Sequence, residues 1–325
     1  MFFPGKKVKM PNQGEPLVSV KVVTYNHAAY ISRCIESILM QKTTFPFELV
    51  IGEDCSTDGT REIVLEYAQR YPDIIRVVTS ESNVGMRANS ARILPICQGE
   101  YIAFCDGDDY WIDPLKLQKQ YEAIVKYNAV LVTHSTLMVF YENKKMSGES
   151  KMRRAKNKSG FLDLDDIISH RTPFQTSSIF LRSEIIKKLP DWYFQLAIGD
   201  YPLKVISAQL GKIYYIDEIM SVYQKGVSGS FTNRYSANST QEMEREKGEL
   251  KMYPYLDAYT GYKYTNIIQI YLNHRKIEYY ILHGNLDFLD LSESRKNFLR
   301  RVGVYTKRFP QSWRRKILER VVAYV

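Results

Sequence analysis

The chain has 325 residues, 45% hydrophobic and 13% aromatic, enough for one large domain or one domain with a helical appendage. Its net charge of +9 is uneven: Arg295–Val325 holds ten Lys/Arg and one acid, and Glu142–Gly160 seven and two, so the body is acidic and no nucleic-acid partner is implied. The four cysteines lack metal or disulfide spacing, and neither a signal peptide nor a run of roughly 20 apolar residues is found, which predicts a cytoplasmic or peripheral protein.

Val18–Thr24 reads as a buried β-branched strand, followed by a turn at Tyr25-Asn26-His27 and helical spacing from Ala28 to Gln41. A second strand, Phe47–Glu53, runs into Asp54-Cys-Ser-Thr-Asp-Gly-Thr60, a loop with Ser56, Thr57 and Asp58 as caps for a helix that Pro72 closes. Ile74–Thr79 is a third strand. Asn83–Arg92 opens a helix ending near Cys97, and Tyr101–Cys105 is a fourth strand. Strands alternating with helices predict βαβ units in a mostly parallel sheet covered on both faces. Ligands gather beyond the carboxyl ends of such strands, so Asn26, Asp54 and Asp106 are expected to line one crevice.

Further along, Ala129–Tyr141 reads as a long strand, and the basic segment Glu142–Gly160 as a mobile loop. Phe174–Leu181 reads as a strand, Tyr201–Leu210 as a helix and Lys212–Tyr223 as extended. From Ser236 the pattern turns helical. The boundaries expected are a catalytic domain over 1–235, with a nucleotide part at about 17–128 and an acceptor part at about 129–235, then a helical, basic extension over 236–325.

The fourth strand ends in Asp106-Gly-Asp-Asp109. Like charges gathered at the end of a buried strand repel, and a hard divalent cation relieves that repulsion. Mg²⁺ or Mn²⁺ takes carboxylate oxygens, keeps several waters and bridges to substrate phosphates. The Asp-x-Asp pattern is therefore a candidate metal–diphosphate site.

The motifs, taken in order, resemble the family 2 glycosyltransferases, an inverting family with the GT-A nucleotide-diphospho-sugar fold. The likeness rests on Val22-Val-Thr-Tyr-Asn26, on Glu53-Asp-Cys-Ser-Thr-Asp-Gly-Thr60, and on Asn83-x-Gly85 with Ala91-Arg92 and Gly99-Glu-Tyr-Ile leading into Asp106-Gly-Asp-Asp109. Gly199-Asp200-Tyr201 and Gly211-Lys-Ile-Tyr-Tyr complete it, and it covers about Leu17–Ser230.

The resemblance implies a metal-dependent transfer from a nucleotide sugar, most simply a UDP-sugar, to a saccharide or lipid-linked saccharide, as in surface polysaccharide or lipopolysaccharide synthesis. Asp108 would ligate Mn²⁺ or Mg²⁺. Asp106 would hold the ribose or a metal-bound water, with Gly107 beside it, and Asp109 would orient Asp108 or the sugar. Asp54 would accept from the imide N–H of uracil, or simply shape the turn. Thr24, Tyr25 and Asn26 would frame the nucleotide, with core packing an equal role for Tyr25. Arg87 and Arg92 would face the diphosphate or donor sugar unless solvated. Asp200 would be the general base, a role compatible with capping its helix.

The sequence departs from the family after Tyr223, where relatives commonly carry Arg-x-His and this chain has Gln224-Lys225-Gly226. Lys225 would then meet the diphosphate as a point charge, and the segment up to Ser230 could serve as a lid. The Arg295–Val325 tail, with Trp313 and apolar residues among its cations, suits an anionic membrane surface or a helix with a solvated basic face. A homodimer is compatible with the sequence, which fixes no oligomeric state. Competing readings are a nucleotidyltransferase, whose Gly-rich phosphate loop is missing, and a non-catalytic saccharide-binding protein of the same fold.

Overall fold

The computed structural model describes residues 15–142, 145–146, 151–153, 158–168, 174–227 and 239–283. The chain divides into two compact units, Met1–Ala237 and Asn238–Val325.

In the first unit, β1 (Val18–Thr24), β2 (Phe47–Glu53), β3 (Ile75–Val78) and β4 (Tyr101–Asp106) lie in the order β3-β2-β1-β4, all parallel. Alternation sorts their side chains. Val18, Val20, Val22, Leu49, Ile51, Tyr101, Ala103 and Cys105 enter one core. α1 (Ile31–Leu39), α2 (Thr60–Arg70) and α4 (Lys116–Lys126) cover that core through Ile31, Cys34, Ile35, Ile38, Val64 and Leu117. Val23 and Val50 point to the other face, against Ile93 of α3 (Met86–Ile93).

The sheet continues through β10 (Phe180–Arg182), β6 (Leu131–Glu142), β11 (Ile213–Lys225) and β5 (Tyr110–Trp111). β6 and β11 are parallel, whereas β10 runs antiparallel to both its neighbours and β5 antiparallel to β11. The sheet is thus mostly parallel through its nucleotide half and mixed beyond it. α5 (Leu164–Ile168), α6 (Asp191–Phe194) and α7 (Asp200–Leu210) accompany this second half.

Three expectations need correction. The segment Glu142–Gly160 is not wholly loop: β7 (Lys145–Met146) and β8 (Lys151–Arg153) pair with β6, and β9 (Gly160–Leu162) pairs with β11. These short strands are set by the open backbone edges they join rather than by their own periodicity. The expected strand Phe174–Leu181 shrinks to Phe180–Arg182, because Thr176–Ser178 form a 3₁₀ turn in which Ser178 Oγ donates to Gln175 O at 2.7 Å. α1 starts at Ile31 rather than Ala28, since Asn26 takes φ 56° and Tyr30 N donates to His27 O, making a turn first.

α4 buries a charge under the sheet. Lys116 is fully buried, with Nζ 2.7 Å from Gln120 Oε1 and 3.8 Å from the Trp111 ring centroid. Burial lowers its pKa from 10.5 to about 7. Lys21, buried on β1, is lowered to about 8 for the same reason. The unfolded chain binds these protons up to about pH 10 while the folded chain has released them, so stability rises with pH across that window. The Lys116 contribution between pH 7 and 9 is on the order of 2 kcal/mol. Urea melts of Lys116→Met are expected to show higher stability at pH 7 and a shallower rise to pH 9. An unchanged slope would refute this.

In the second unit, α8 (Ser239–Leu250), α9 (Met252–Tyr259) and α10 (Thr265–His283) bear out the expected helical character as far as His283. Met252, Leu256, Ile268 and Leu272 are buried, and Glu249 receives Arg275 at 2.6 Å as well as Arg245. The basic tail over 295–325 and the stretch from 228 to Ser230 lie outside the described residues. Among the described residues no helix is long and apolar enough to cross a membrane.

Candidate active site

Register aligns the strand ends that carry the motifs. Thr24 stands opposite Glu53, and Val23 opposite Asp106. The crevice expected beyond these carboxyl ends therefore collects Thr24, Tyr25 and Asn26 after β1, Asp54 after β2 and the acidic turn after β4.

The first two turns lock together. Asn26 N donates to Ser56 Oγ at 3.0 Å, and Thr57 N to Asn26 Oδ1 at 2.9 Å. His27 N donates to Thr60 Oγ1 at 2.8 Å and Ala28 N to Asp58 Oδ2 at 3.0 Å. The Ser56–Thr60 segment is thus tied to the turn that precedes α1. Asp54, 1% exposed, accepts from Val84 N and Gly85 N, each at 2.9 Å, and from Ser80 Oγ at 3.3 Å. It fixes the turn ahead of α3. A carboxylate offers about four acceptor sites, so the group is not saturated by these three donors.

The two arginines of α3 are turned onto protein acceptors. Arg92 donates to Asn89 Oδ1 at 2.9 Å, to Thr79 O at 2.5 Å and to Glu53 O at 2.7 Å, bracing the ends of β2 and β3. Arg87 reaches across the site. Its Nε donates to Leu196 O at 3.1 Å and Nη2 to Tyr193 O at 2.7 Å, with the guanidinium 4.6 Å from the Tyr193 ring centroid. A Cβ on Gly199 would lie 1.8 Å from Arg87 Nη1, so a larger residue just before Asp200 would displace the guanidinium.

The acidic turn presses on the first strand. Gly107 N donates to Val23 O at 2.9 Å, and a Cβ there would sit 2.7 Å from Thr24 Oγ1 and 2.9 Å from His27 Nδ1. Asp109 N donates to Asp106 O at 2.9 Å and closes the turn. Asp108 and Asp109 are buried, at 8% and 2% exposure, and Asp106 is half-buried. The end of β11 seals one side: Gln224 N donates to Asp109 Oδ1 at 3.2 Å, and Gln224 Nε2 to Asp108 O. Lys225, next in sequence, is half-buried with Nζ 5.9 Å from the Phe140 ring centroid. Gly226 follows at φ +84°, where a Cβ would meet Tyr141 O at 2.3 Å.

Electrostatically the turn is short of positive charge. Burial, then the Asp108 charge, pushes Asp106 up to about 7 against the pull of Lys21, and Asp200 adds to the rise. Asp109 is also raised, by burial and by Asp108 and Asp106. Asp200, which opens α7, is therefore close enough for its charge to be felt at Asp106. His27 holds Nδ1 3.3 Å from Thr24 Oγ1, while its Nε2 lies 3.9 Å from Asp108 Oδ2, buried and without a hydrogen-bond partner.

Among the described residues no three His, Cys, Asp or Glu side chains converge on one point as a ready metal cage. The donor set nonetheless fits a hard cation that completes its shell with waters and phosphate oxygens. The burial and repulsion that raise Asp106 and Asp109, beside an orphaned imidazole nitrogen, are relieved by one added positive charge.

Asp200 opens α7 with its side chain 42% exposed and Oδ2 3.5 Å from Lys204 Nζ. Trp111 belongs to the core: it is 1% exposed and its Nε1 donates to Ser177 O at 3.2 Å. The sequence reading missed Gln224, the inward face of His27 and Lys204. For the last, the i, i+4 spacing from Asp200 was the available signal.

An uncharacterized protein of Mycobacterium tuberculosis is 31% identical over 225 residues, 67% of this chain, and the aligned stretch spans 62% of that relative's length. Two solved structures share the fold. S. aureus TarS in complex with UDP-GlcNAc is 18% identical with a TM-score of 0.54, covering 90% of this chain and 91% of that one. The mannosyltransferase PcManGT from Pyrobaculum calidifontis, with GDP-Man and Mn²⁺, is 14% identical with a TM-score of 0.55, covering 95% and 86%. The parallel β3-β2-β1-β4 sheet with its acidic turn is thus a GT-A architecture. Residues 19–189, over half of the chain, match the family described as "Glycosyl transferase family 2", and the chain belongs to that family.

Proposed function

We propose that this chain transfers a sugar, with inversion, from a nucleotide-diphosphate donor to a saccharide or lipid-linked saccharide acceptor, in the building of a surface polysaccharide. The observation carrying the reading is the acidic turn at the β4 end, with the charge of Asp200 felt at Asp106.

In this reading Asp108 and Asp106 hold Mn²⁺ or Mg²⁺, with Gln224 fixing the backbone of the turn. The cation supplies charge stabilisation for the departing diphosphate. The likeness to a fold neighbour solved with Mn²⁺ supports divalent metal use. Asp54 lies at the base end of the crevice, where a carboxylate suits the imide N–H of uracil. TarS, which shares the fold, is described with UDP-GlcNAc. Thr24, Tyr25, Asn26 and Gly107 form the donor floor. Arg87 and Arg92 stiffen its wall instead of meeting the diphosphate, because their donors already serve protein carbonyls. Lys225 directly follows Gln224, which bonds the acidic turn, and we assign it the diphosphate contact. Asp200 takes the proton of the acceptor hydroxyl as that oxygen attacks the anomeric carbon and the bond to the diphosphate breaks.

A panel of nucleotide sugars screened by thermal shift, with and without Mn²⁺, tests this. A UDP-sugar is expected to raise the melting temperature only when Mn²⁺ is present. No shift with any nucleotide would favour a non-catalytic saccharide-binding protein.

A further inference from the structure

α7 carries a charge where its neighbours call for a hydrocarbon. Leu203, Val205 and Ile206 are all buried, and Lys204 between them has a side chain only 10% exposed. Leucine or methionine would fill the site without desolvating an ammonium, which is costly unless the charge is paired. Here it is paired and pinned. Nζ donates to Phe174 O at 2.6 Å, lies 4.4 Å from the Phe174 ring centroid and stands 3.5 Å from Asp200 Oδ2. The lysine is anchored by the backbone carbonyl of Phe174, while the carboxylate it pairs with is 42% exposed.

We propose that Lys204 is a positioning residue for Asp200. Its ammonium takes Oδ2 and so turns Oδ1 toward the acceptor hydroxyl. An aspartate with 42% of its side chain exposed otherwise samples several rotamers, and a base must stand within hydrogen-bond reach of the proton it removes. The anchor on Phe174 O matters, because a lysine held only by its partner would move with it. Gly199, packed under Arg87, fixes the residue before Asp200 from the other side. The proposal rests on the reading of Asp200 as the general base.

An i, i+4 ion pair near a helix start can also be merely stabilising, and the experiment separates the two roles. Turnover is followed as UDP released from the UDP-sugar that the panel selects, with full-length Lys204→Met, Lys204→Arg, Asp200→Asn and the double variant Asp200→Asn/Lys204→Met. Lys204→Met is expected to lower kcat about 10-fold or more with KM for donor and acceptor within about two-fold. Lys204→Arg should recover most of that loss. The double variant should be no slower than Asp200→Asn alone, since a positioning residue has nothing left to position. Thermal shift with UDP and Mn²⁺ confirms that each variant is folded, and Lys204→Gln replaces the methionine variant should that one fail to fold.

An unchanged kcat in Lys204→Met, or losses that multiply in the double variant, would overturn the proposal. So would a raised acceptor KM at constant kcat, which would make Lys204 an acceptor contact. Near-normal turnover in Asp200→Asn would instead overturn the reading of Asp200 itself.

Discussion

Asp108→Ala is expected to cut sugar transfer by about 10³-fold or more, the several kcal/mol that metal-assisted charge stabilisation contributes, while the apo protein melts no lower than wild type. Asp108 is the charge that raises both Asp106 and Asp109. Its nearest cationic candidate, His27 Nε2, stands 3.9 Å away, beyond a hydrogen bond. Deleting a carboxylate that repels two neighbouring carboxylates therefore removes strain from the metal-free fold. In the proposed reading the same deletion also removes the carboxylate that would hold the cation against the diphosphate. UDP release and melting curves with and without MnCl₂ check both halves. A variant that kept its Mn²⁺-dependent thermal shift would show that the acidic turn is not the metal site, and a large drop in apo stability would contradict the electrostatic account.

Asp200→Asn is expected to lower turnover about 10²–10⁴-fold, the range for loss of a positioned general base, with UDP binding unchanged. The substitution keeps the shape of the side chain at the start of α7 but cannot take up the acceptor proton. Asp200 is bonded to none of the donor-side turns. Its influence there is the long-range field felt at Asp106, so the nucleotide site should stay intact. Calorimetric titration with UDP and Mn²⁺ alongside steady-state kinetics makes the comparison. Loss of UDP affinity equal to the loss of turnover would place Asp200 in the donor site.

Much of the nucleotide half was legible in the sequence because its determinants are local. Val18–Thr24 and Phe47–Glu53 are β-branched or apolar runs, and both emerge as strands with those bounds. Residues that follow a parallel strand must appear at one edge of the sheet, which puts Thr24, Glu53 and Asp106 side by side. The second half was harder. β7, β8 and β9 exist because β6 and β11 offer them backbone partners, and β10 is short because its serines and threonines bond locally.

Side-chain destinations were the least legible. Arg87 and Arg92 share one helix and one chemistry, yet one braces strand ends while the other reaches carbonyls more than 100 residues away. His27 sits where a turn residue was expected, but the Gly107 contact turns its ring inward. Such outcomes follow from which backbone passes nearby, and spacing along the chain does not encode that.

Arg87 also sets the mechanics of the cleft. Its guanidinium ties α3 to the segment leading into α7 through Tyr193 O and Leu196 O, with Gly199 close against it. In the proposed reading this tie would join the donor wall to the acceptor wall before either substrate arrives. Binding free energy is then free to act on the reacting atoms rather than on dragging two lobes together.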